Sequence, residues 1–189
     1  MRVIAGSAGG LRLAVPKSRV RPTMDRVKAA IFSSLGGAII DARVLDLFAG
    51  SGALGIEALS RGAASVLFVE EDRQSTEAIE KNLAKTKLGG RVRRQEVFEF
   101  LRRSSGLERF QIIFADPPYE KTKSGERFTE KLLMNKELAQ LLELDGVFVL
   151  EKRPAEQTPA TKFWDIVRAR KYGATEVLFL RRPPSASMT

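Results

Sequence analysis

The stretch DLFAGSGALG, from Asp46 to Gly55, decides the fold of this 189-residue chain. It joins an apolar run, 43–48, to an apolar segment of helical character, 53–61, through a glycine-rich loop. A buried strand that enters a helix through such a loop is the first half of a βαβ unit, and the loop backbone can approach a ligand closely. The sequence therefore predicts strand, loop and helix here, with a ligand at the loop.

The alternation of strand and helix extends to both sides of this loop. The predicted strands are 43–48, 65–69, 91–95, 111–115, 146–151, 164–171 and 174–181. The first predicted helix begins after Thr23, and the other predicted helices cover 53–61, 72–87, 98–103 and 126–142. This order predicts an α/β, Rossmann-like fold with a mostly parallel sheet and helices on both faces. The last two strands form a hairpin through Tyr172-Gly173, which requires an antiparallel strand near the C-terminus.

Length and pattern predict a single domain over residues 1–182. Residues 1–22 form a basic N-terminal arm, irregular or hairpin-like, with Gly9-Gly10 as its turn. Residues 183–189 are expected to be a disordered tail. In an open sheet of this kind, ligands bind at the carboxyl ends of the strands, which places the chemistry in loops 49–53, 70–72, 96–98 and 116–120.

Composition excludes several kinds of chemistry. The chain has no Cys and no His, so thiolate or histidine metal sites, disulfides and Ser-His-Asp catalysis are ruled out, and no metal site is expected. No apolar run approaches the roughly 20 residues that span a bilayer, and the N-terminus lacks a signal-peptide core. We expect a cytoplasmic protein, a monomer with no membrane partner.

The positive charge is concentrated at the two ends of the chain. Residues 1–30 carry seven cations against one anion, and residues 151–189 carry eight against four, whereas the chain as a whole has a net charge of +9. The 120 residues between them are therefore almost neutral. Phosphate contacts drive the affinity of polyanion-binding proteins, so this distribution favours a nucleic-acid partner over a merely solubilising surface.

The loop Phe48-Ala49-Gly50-Ser51-Gly52 predicts a nucleoside cofactor. Glu70 lies 20 residues after Gly50, at the end of the next strand, where a carboxylate can accept both ribose hydroxyls. These features suit a nicotinamide dinucleotide as well as S-adenosylmethionine, and a tight turn without a ligand is a further alternative. Asp46 favours S-adenosylmethionine, because a buried carboxylate needs a partner and a methionine ammonium would serve. Loop amides are the other candidate partners.

The tetrapeptide Asp116-Pro117-Pro118-Tyr119 directly follows the apolar strand Ile112–Ala115. In a chain of this length it would arise by chance about once in a thousand cases. Two prolines cannot continue a central strand, so the loop must leave the sheet at its carboxyl edge and face the same crevice as the glycine loop.

This loop suits methylation of an exocyclic amine. Asp116 and the carbonyl of Pro117 can each accept one N–H hydrogen bond and direct the nitrogen lone pair toward a methyl donor, while Tyr119 offers a stacking face for the base. A hydrogen bond to a charged group contributes roughly 1.5–3 kcal/mol. Positioning two reactants can contribute about 7–11 kcal/mol. Orientation should therefore matter more than proton abstraction.

The substrate base must leave its stack or be unpaired to reach such a pocket. Specific recognition of RNA mostly uses loops and splayed bases, with basic residues on the backbone. The basic residues of the arm and of the first helix form the expected clamp on RNA: Arg12, Lys17, Arg19, Arg21 and Arg26.

Three groups of residues, in this order, resemble the bacterial 16S rRNA guanine-N2 methyltransferases of the RsmD type. They are Arg21-Pro22-Thr23 with Asp25-Arg26-Val27 and Ile31-Phe32, then 46–59 with Ser60-Arg61-Gly62-Ala63, and then 116–119. The resemblance covers residues 1 to about 182. The glycine loop and Asp-Pro-Pro-Tyr occur in many amino-methyltransferases, whereas their combination with Arg-Pro-Thr is much more specific.

The resemblance implies a seven-stranded class I methyltransferase fold with S-adenosylmethionine as cofactor. Its substrate would be the small ribosomal subunit or an assembly intermediate. By position, the loop 48–52 would hold the methionine part, Glu70 the ribose, and Glu96 and Val97 the adenine edge. Residues 116–119 would hold the target guanine, and Thr23 would join the arm residues on RNA.

Other functions share parts of this pattern. An adenine-N6 or cytosine-N4 methyltransferase acting on DNA would use the same loop 116–119, and so would a protein-glutamine methyltransferase, which typically has Asn in place of Asp116. A non-catalytic nucleic-acid-binding protein could keep the fold. A nicotinamide oxidoreductase would explain the glycine loop but neither loop 116–119 nor the basic arm.

Overall fold

The computed structural model describes residues 1–15, 24–104, 108–118 and 127–184. The strands are β1 (Arg43–Leu47), β2 (Ser65–Glu70), β3 (Arg91–Arg94), β4 (Phe110–Ala115), β5 (Leu142–Lys152), β6 (Asp165–Tyr172) and β7 (Thr175–Arg181). The helices are α1 (Met24–Leu35), α2 (Ala53–Ser60), α3 (Arg73–Thr86), α4 (Val97–Ser104), α5 (Phe128–Leu133) and α6 (Lys136–Leu141), with a 3₁₀ helix at Gly36–Ile39. Every predicted strand is present, and all except β5 agree with the prediction to within one residue at each end.

The strands form one seven-stranded sheet in the order β3-β2-β1-β4-β5-β7-β6. The neighbours from β3 to β5 pair in parallel, whereas β7 runs antiparallel to both β5 and β6. The mostly parallel sheet with an antiparallel strand near the C-terminus is therefore confirmed. The chain moves outward from β1 through β2 to β3 and then returns to β4 beside β1, so the strand order reverses between β1 and β4. Ligands of open α/β sheets bind beside such a reversal.

Side chains alternate between the two faces of the sheet, so each face has its own apolar core. On one face Val44 and Phe68 pack with α1, α2 and α3, and on the other Leu45 and Leu47 pack with α4, α5 and α6. Helices on both faces are thus confirmed. Among the helices of the described ranges, none has the length and apolar character that crossing a membrane requires.

The prediction of one helix over 126–142 is wrong within the described residues. The Asn135 side chain accepts a hydrogen bond from the Leu138 amide at 2.6 Å and starts a second helix, α6. The apolar spacing is helical on both sides of Asn135, so it does not reveal the local cap that separates α5 from α6. Strand β5 begins at Leu142, four residues before the predicted start, because Leu142 pairs with Phe110 ahead of a register shift in β4.

Residues 1–15 fold back on themselves. Arg2 and Arg12 form an antiparallel bridge, and the Gly10 amide donates to the Val3 carbonyl at 2.9 Å. Val3 and Leu13 are buried in the same apolar core as α1, α2 and α3. The predicted hairpin-like start of the arm is thus present, whereas residues 16–22 and the predicted helix cap Thr23 lie outside the described residues.

Candidate active site at the carboxyl edge of the sheet

Three loops reach the same level at the carboxyl edge of the sheet. Leu47 of β1 is paired with Val69 of β2 and with Ala115 of β4. The next residue along each chain segment is Phe48, Glu70 or Asp116, so these three residues lie side by side at the carboxyl edge of the sheet. The register therefore brings the glycine loop, the predicted ribose carboxylate and the Asp-Pro-Pro loop to one place.

Asp46 lies just below this level and is buried, with 2% of its surface exposed. Its Oδ2 accepts a hydrogen bond from the Gly55 amide at 2.9 Å, so a backbone amide of α2 is one partner of this carboxylate. The pKa of Asp46 is raised to about 8, chiefly by burial and to a smaller extent by the negative charges of Asp116 and Glu70. A proton or a nearby cation is thus favoured at this position.

The glycine loop adopts backbone conformations that its sequence permits. Phe48, Gly50 and Gly52 have φ angles of +54°, +56° and +79°. A Cβ on Gly52 would also lie 3.2 Å from the side chains of Ile56 and Ile79, so a larger residue would be strained as well as crowded. Ser51 and Ala49 are buried between these positions. The conformation of the loop therefore depends on its glycines.

Gly55, the third glycine of the motif, packs helix against strand. A Cβ at Gly55 would lie 2.2 Å from the Phe68 ring, so any other residue would push α2 away from β2. Because Asp46 accepts from the Gly55 amide, this close packing also fixes the buried carboxylate. The motif therefore positions the site as well as opening the loop.

Glu70 holds the glycine loop with both carboxylate oxygens. One oxygen accepts from the Gly50 amide at 2.7 Å and the other from the Asp72 amide at 3.0 Å. A carboxylate can accept about four hydrogen bonds, so a group of this kind can hold a loop and also accept ribose hydroxyls. Glu70 is 3% exposed, and its predicted contact with the ribose stays a prediction.

Glu96 caps helix α4. Its two oxygens accept from the Phe98 amide at 2.8 Å and from the Glu99 amide at 2.7 Å. Val97 begins the helix and is buried. The predicted adenine contact of Glu96 stays a prediction, with its carboxylate already engaged by the helix N-terminus.

Three phenylalanines from different elements meet beside this cap. The Phe98 and Phe128 rings are stacked with centroids 6.2 Å apart, and Phe48 contacts Phe128 edge-on at 5.5 Å. The ammonium group of Lys131 lies 5.6 Å from the Phe98 ring centre, within cation–π range. The cluster forms an aromatic wall next to the glycine loop. Sequence reasoning selected only Phe48, because nothing in the chain order signals that 98 and 128 meet it.

Loop 116–118 follows β4 as predicted. Asp116 is partly exposed, Pro117 is buried and Pro118 is exposed, so the carboxylate faces the edge while the first proline anchors the loop. Tyr119 lies outside the described residues. The negative charge of Asp116 adds to the effect of burial in raising the pKa of Asp46.

Glu57 of α2 attaches the start of the arm to the domain. It is fully buried, and its oxygens accept from the amides of Ile4 at 2.7 Å and Ala5 at 3.1 Å. Lys28 and Arg61 form ion pairs with the same carboxylate at 3.2 and 2.7 Å. Burial lowers the pKa of Lys28, although Glu57 opposes this shift. Lys28, counted above among the terminal cations, is therefore a structural group and not part of a phosphate-binding surface.

The other predicted RNA-binding residues divide into two sets. Arg12 and Arg26 are exposed, as a contact with RNA requires. Lys17, Arg19, Arg21 and Thr23 lie outside the described residues.

Asn82 of α3 links the arm to the glycine loop, and sequence reasoning missed it. Its amide nitrogen donates to the carbonyls of Ala14 and Ser51 at 2.9 and 3.0 Å, and its oxygen accepts from the Ala14 amide at 2.7 Å. Asn82 is 1% exposed. A polar residue at a helix position between the apolar Ile79 and Leu83 was the available signal.

The site fits S-adenosylmethionine better than a nicotinamide dinucleotide. Asp46, Glu70 and Asp116 bring three carboxyl groups to one edge, and their mutual repulsion helps to keep Asp46 protonated. A ligand with a sulfonium and an ammonium would relieve this repulsion, whereas a pyrophosphate would add to it. Glu70 could hold the ribose of such a ligand, and the loop 48–52 its methionine part.

The strand order, the antiparallel β7 and the loop after β1 define a class I methyltransferase fold. Comparison with known proteins agrees with this class. The chain belongs to the family described as "Conserved hypothetical protein 95", whose model matches residues 1–181.

Two curated relatives carry more specific names. The chain is 39% identical over 188 residues to "Putative rRNA methyltransferase YlbH" of Bacillus subtilis, a match that covers 96% of this chain and 99% of the relative. It is 44% identical over 123 residues to "Ribosomal RNA small subunit methyltransferase D" of Escherichia coli, a match that covers 64% of this chain and 61% of the relative.

Solved structures share the fold. A hypothetical protein of Thermus thermophilus superposes with a TM-score of 0.80 at 32% identity, and the match covers 96% of this chain and 99% of that protein. A 16S rRNA N2 methyltransferase (RsmC) of Thermus thermophilus, solved with AdoMet and guanosine, superposes with a TM-score of 0.62 at 25% identity. That match covers 88% of this chain and 44% of the second protein.

Proposed function

We propose that this protein transfers the methyl group of S-adenosylmethionine to the exocyclic N2 of a guanine in 16S rRNA. Its substrate is the small ribosomal subunit or an assembly intermediate, and it acts in the cytoplasm as a monomer. The names of the two curated relatives support an rRNA substrate. The guanosine in the more distant RsmC structure supports the choice of base.

The observation that carries the proposal is the register of β1, β2 and β4. It sets Asp116 beside the glycine loop and Glu70, at the reversal of strand order. A group that accepts N–H hydrogen bonds therefore lies next to the loop that fits the methyl donor.

The residues of the chain supply orientation and electrostatics. S-adenosylmethionine, when bound, supplies an electrophilic methyl group on a sulfonium. The Asp116 carboxylate accepts one N–H of the guanine amino group and the Pro117 carbonyl accepts the other, so that the nitrogen lone pair is directed away from the ring plane. The aromatic wall of Phe48, Phe98 and Phe128 gives this side of the site an apolar surface. The nitrogen–carbon bond would form as the sulfur–carbon bond breaks, with S-adenosylhomocysteine as the leaving product. The methylated nitrogen then loses one proton to the Asp116 carboxylate and from there to solvent, and no strong base is needed for this loss.

Methyl transfer from radiolabelled S-adenosylmethionine tests this function. The acceptors are unmethylated small subunits, naked 16S rRNA and DNA, and the products are digested to nucleosides. We expect label as N2-methylguanosine from ribosomal material. Label in adenine or cytosine of DNA would keep the fold and the mechanism but overturn the substrate. Cofactor binding without any transfer would favour a nucleic-acid-binding protein of the same fold.

A further inference from the structure

The edge strand β3 presents arginines on the face that carries α4. Register pairs Arg91 with Leu67 and Arg93 with Val69, and both partners belong to the apolar core beneath α4. Paired residues of neighbouring strands point to the same face. The side chains of Arg91 and Arg93 therefore stand on the α4 face at the edge of the sheet, beyond the cover of that helix.

A cleft of about 740 Å³ lies between this strand and α4. Arg91, Arg93 and Gln95 line its strand side, and Arg103 and Ser104 line its helix side. Leu67, Phe100, Phe110 and Leu141 form an apolar floor. Gln95 directly precedes Glu96, the cap of α4, so one end of the cleft lies near the carboxyl edge of the sheet.

The charge around the cleft is positive. The charged residues that line it are Arg91, Arg93 and Arg103 against Glu108, a net charge of +2. Arg91 pairs with Glu108 at 2.8 Å and Arg103 pairs with Glu99 at 3.1 Å, in both cases with largely exposed arginines. Such exposed ion pairs contribute little to stability, so these arginines can readily exchange a glutamate partner for a phosphate. Within the described part of the chain, Arg93 has no ion-pair partner.

We propose that this cleft binds the phosphate backbone of the substrate RNA, as a second contact separate from the N-terminal arm. The inference rests on the proposed function and assigns a second RNA-binding surface to the protein. Charges on an edge strand also prevent pairing with other sheets. Protection of the edge strand does not require an arginine on helix α4, and it does not require a cleft that lies near the candidate active site. An RNA strand bound in the cleft would reach the carboxyl edge of the sheet next to Glu96 and continue toward Asp116.

The test compares Arg93→Glu with Arg170→Glu. Arg170 is an exposed arginine on β6, the opposite edge strand of the same sheet, so the control matches residue type, element and change of charge. Binding of unmethylated 16S rRNA is measured over a series of salt concentrations, and binding of S-adenosylmethionine reports the integrity of the fold. Arg93→Lys separates bidentate phosphate recognition from charge alone.

We expect Arg93→Glu to weaken rRNA binding about tenfold and to flatten the dependence of log K on log salt by about 0.7–0.9, the effect of one phosphate contact. KM for RNA should rise while kcat and cofactor affinity stay unchanged. Arg93→Lys should lose less affinity than Arg93→Glu.

Two outcomes would refute the proposal that the cleft binds RNA. In the first, Arg93→Glu matches wild type or Arg170→Glu, so that only net charge matters. In the second, the variant loses affinity for small subunits but not for naked rRNA, which would assign the cleft to a ribosomal protein. If wild type methylates no rRNA but still binds it through Arg93, the proposed function fails and the binding site stands.

Discussion

The buried carboxyl group of Asp46 makes stability depend on pH. Its pKa is about 8 in the folded protein, above the ordinary value of 3.8, so the folded state holds a proton that the unfolded chain has released. The contribution of the neutral carboxyl group to stability is complete below pH 4 and is lost as the pH rises to about 8. Above that pH the group is charged in both states, and the loss is constant.

Asp46→Asn should remove the loss of stability that ionisation of Asp46 causes at high pH. The amide stays neutral at every pH and its oxygen can still accept from the Gly55 amide. We expect the free energy of unfolding of the variant, relative to wild type, to increase between pH 5 and pH 8 by a few kcal/mol, since each unit of pKa shift corresponds to about 1.4 kcal/mol. Urea titrations of both proteins at the two pH values measure it. A difference that does not change with pH would refute the raised pKa.

Asp116 belongs to the same set of charges but has a different proposed role. Asp116→Asn should reduce kcat at least about a hundredfold, because a charged acceptor that orients the amine becomes a weaker one. S-adenosylmethionine should bind within a few-fold of wild-type affinity at pH 7. Since the Asp116 charge raises the pKa of Asp46, the variant should also lower that pKa. Single-turnover kinetics and calorimetry separate the two effects, and a variant with normal kcat would contradict the role.

At the scale of elements, α3 connects two parts of the site through Asn82. Its three hydrogen bonds join Ala14 of the arm to Ser51 of the glycine loop. A cofactor that orders the loop should therefore also favour the docked position of residues 1–15, and RNA bound to the arm should favour the loop conformation. Coupling of this kind is reciprocal.

Asn82→Ala should weaken S-adenosylmethionine binding about five- to tenfold, because the Ser51 carbonyl loses its donor and the loop becomes less ordered. The matched control is Thr86→Val, one turn further along α3, where the hydroxyl bonds only to carbonyls of its own helix. Calorimetric affinities for both variants, with and without rRNA, give the result. Equal affinities for the two variants would show that Asn82 only stabilises the fold.

Much of this arrangement could be predicted from the sequence, for reasons that differ between elements. Helix α3 was placed correctly because Asp72 caps it, accepting from Ser75 at 2.8 Å, and because Ile79 and Leu83 mark its buried face. The break at Asn135 was missed because the apolar pattern continues across it. The contacts of Glu57 and Asn82 with the arm join residues more than 50 positions apart, and no local pattern records such a distance.

At the scale of the molecule, the arm has a structural half and a half that we expect to bind RNA. Val3 and Leu13 are buried, and Glu57 binds the amides of residues 4 and 5. Deletion of residues 1–22 would therefore do more than remove cations. It would expose core that contributes about 1.5–3 kcal/mol per large apolar side chain.

Substitution of Lys17, Arg19 and Arg21 by Gln is the cleaner test of the clamp. The triple variant should bind rRNA more weakly, with a salt dependence reduced by about two units of slope if all three residues contact phosphate. Its thermal unfolding and cofactor affinity should match wild type. The truncated protein should instead unfold at a lower temperature. Unchanged RNA affinity in the triple variant would rule out the clamp.

The docking of residues 1–15 also has a consequence during synthesis. Their partners Glu57, Ser60 and Asn82 lie 52 to 68 residues further along the chain. At about 5–20 residues per second, the ribosome needs several seconds to produce them. Residues 1–15 therefore reach their place only after these partners have been made, and until then the Val3 and Leu13 side chains stay available to chaperones.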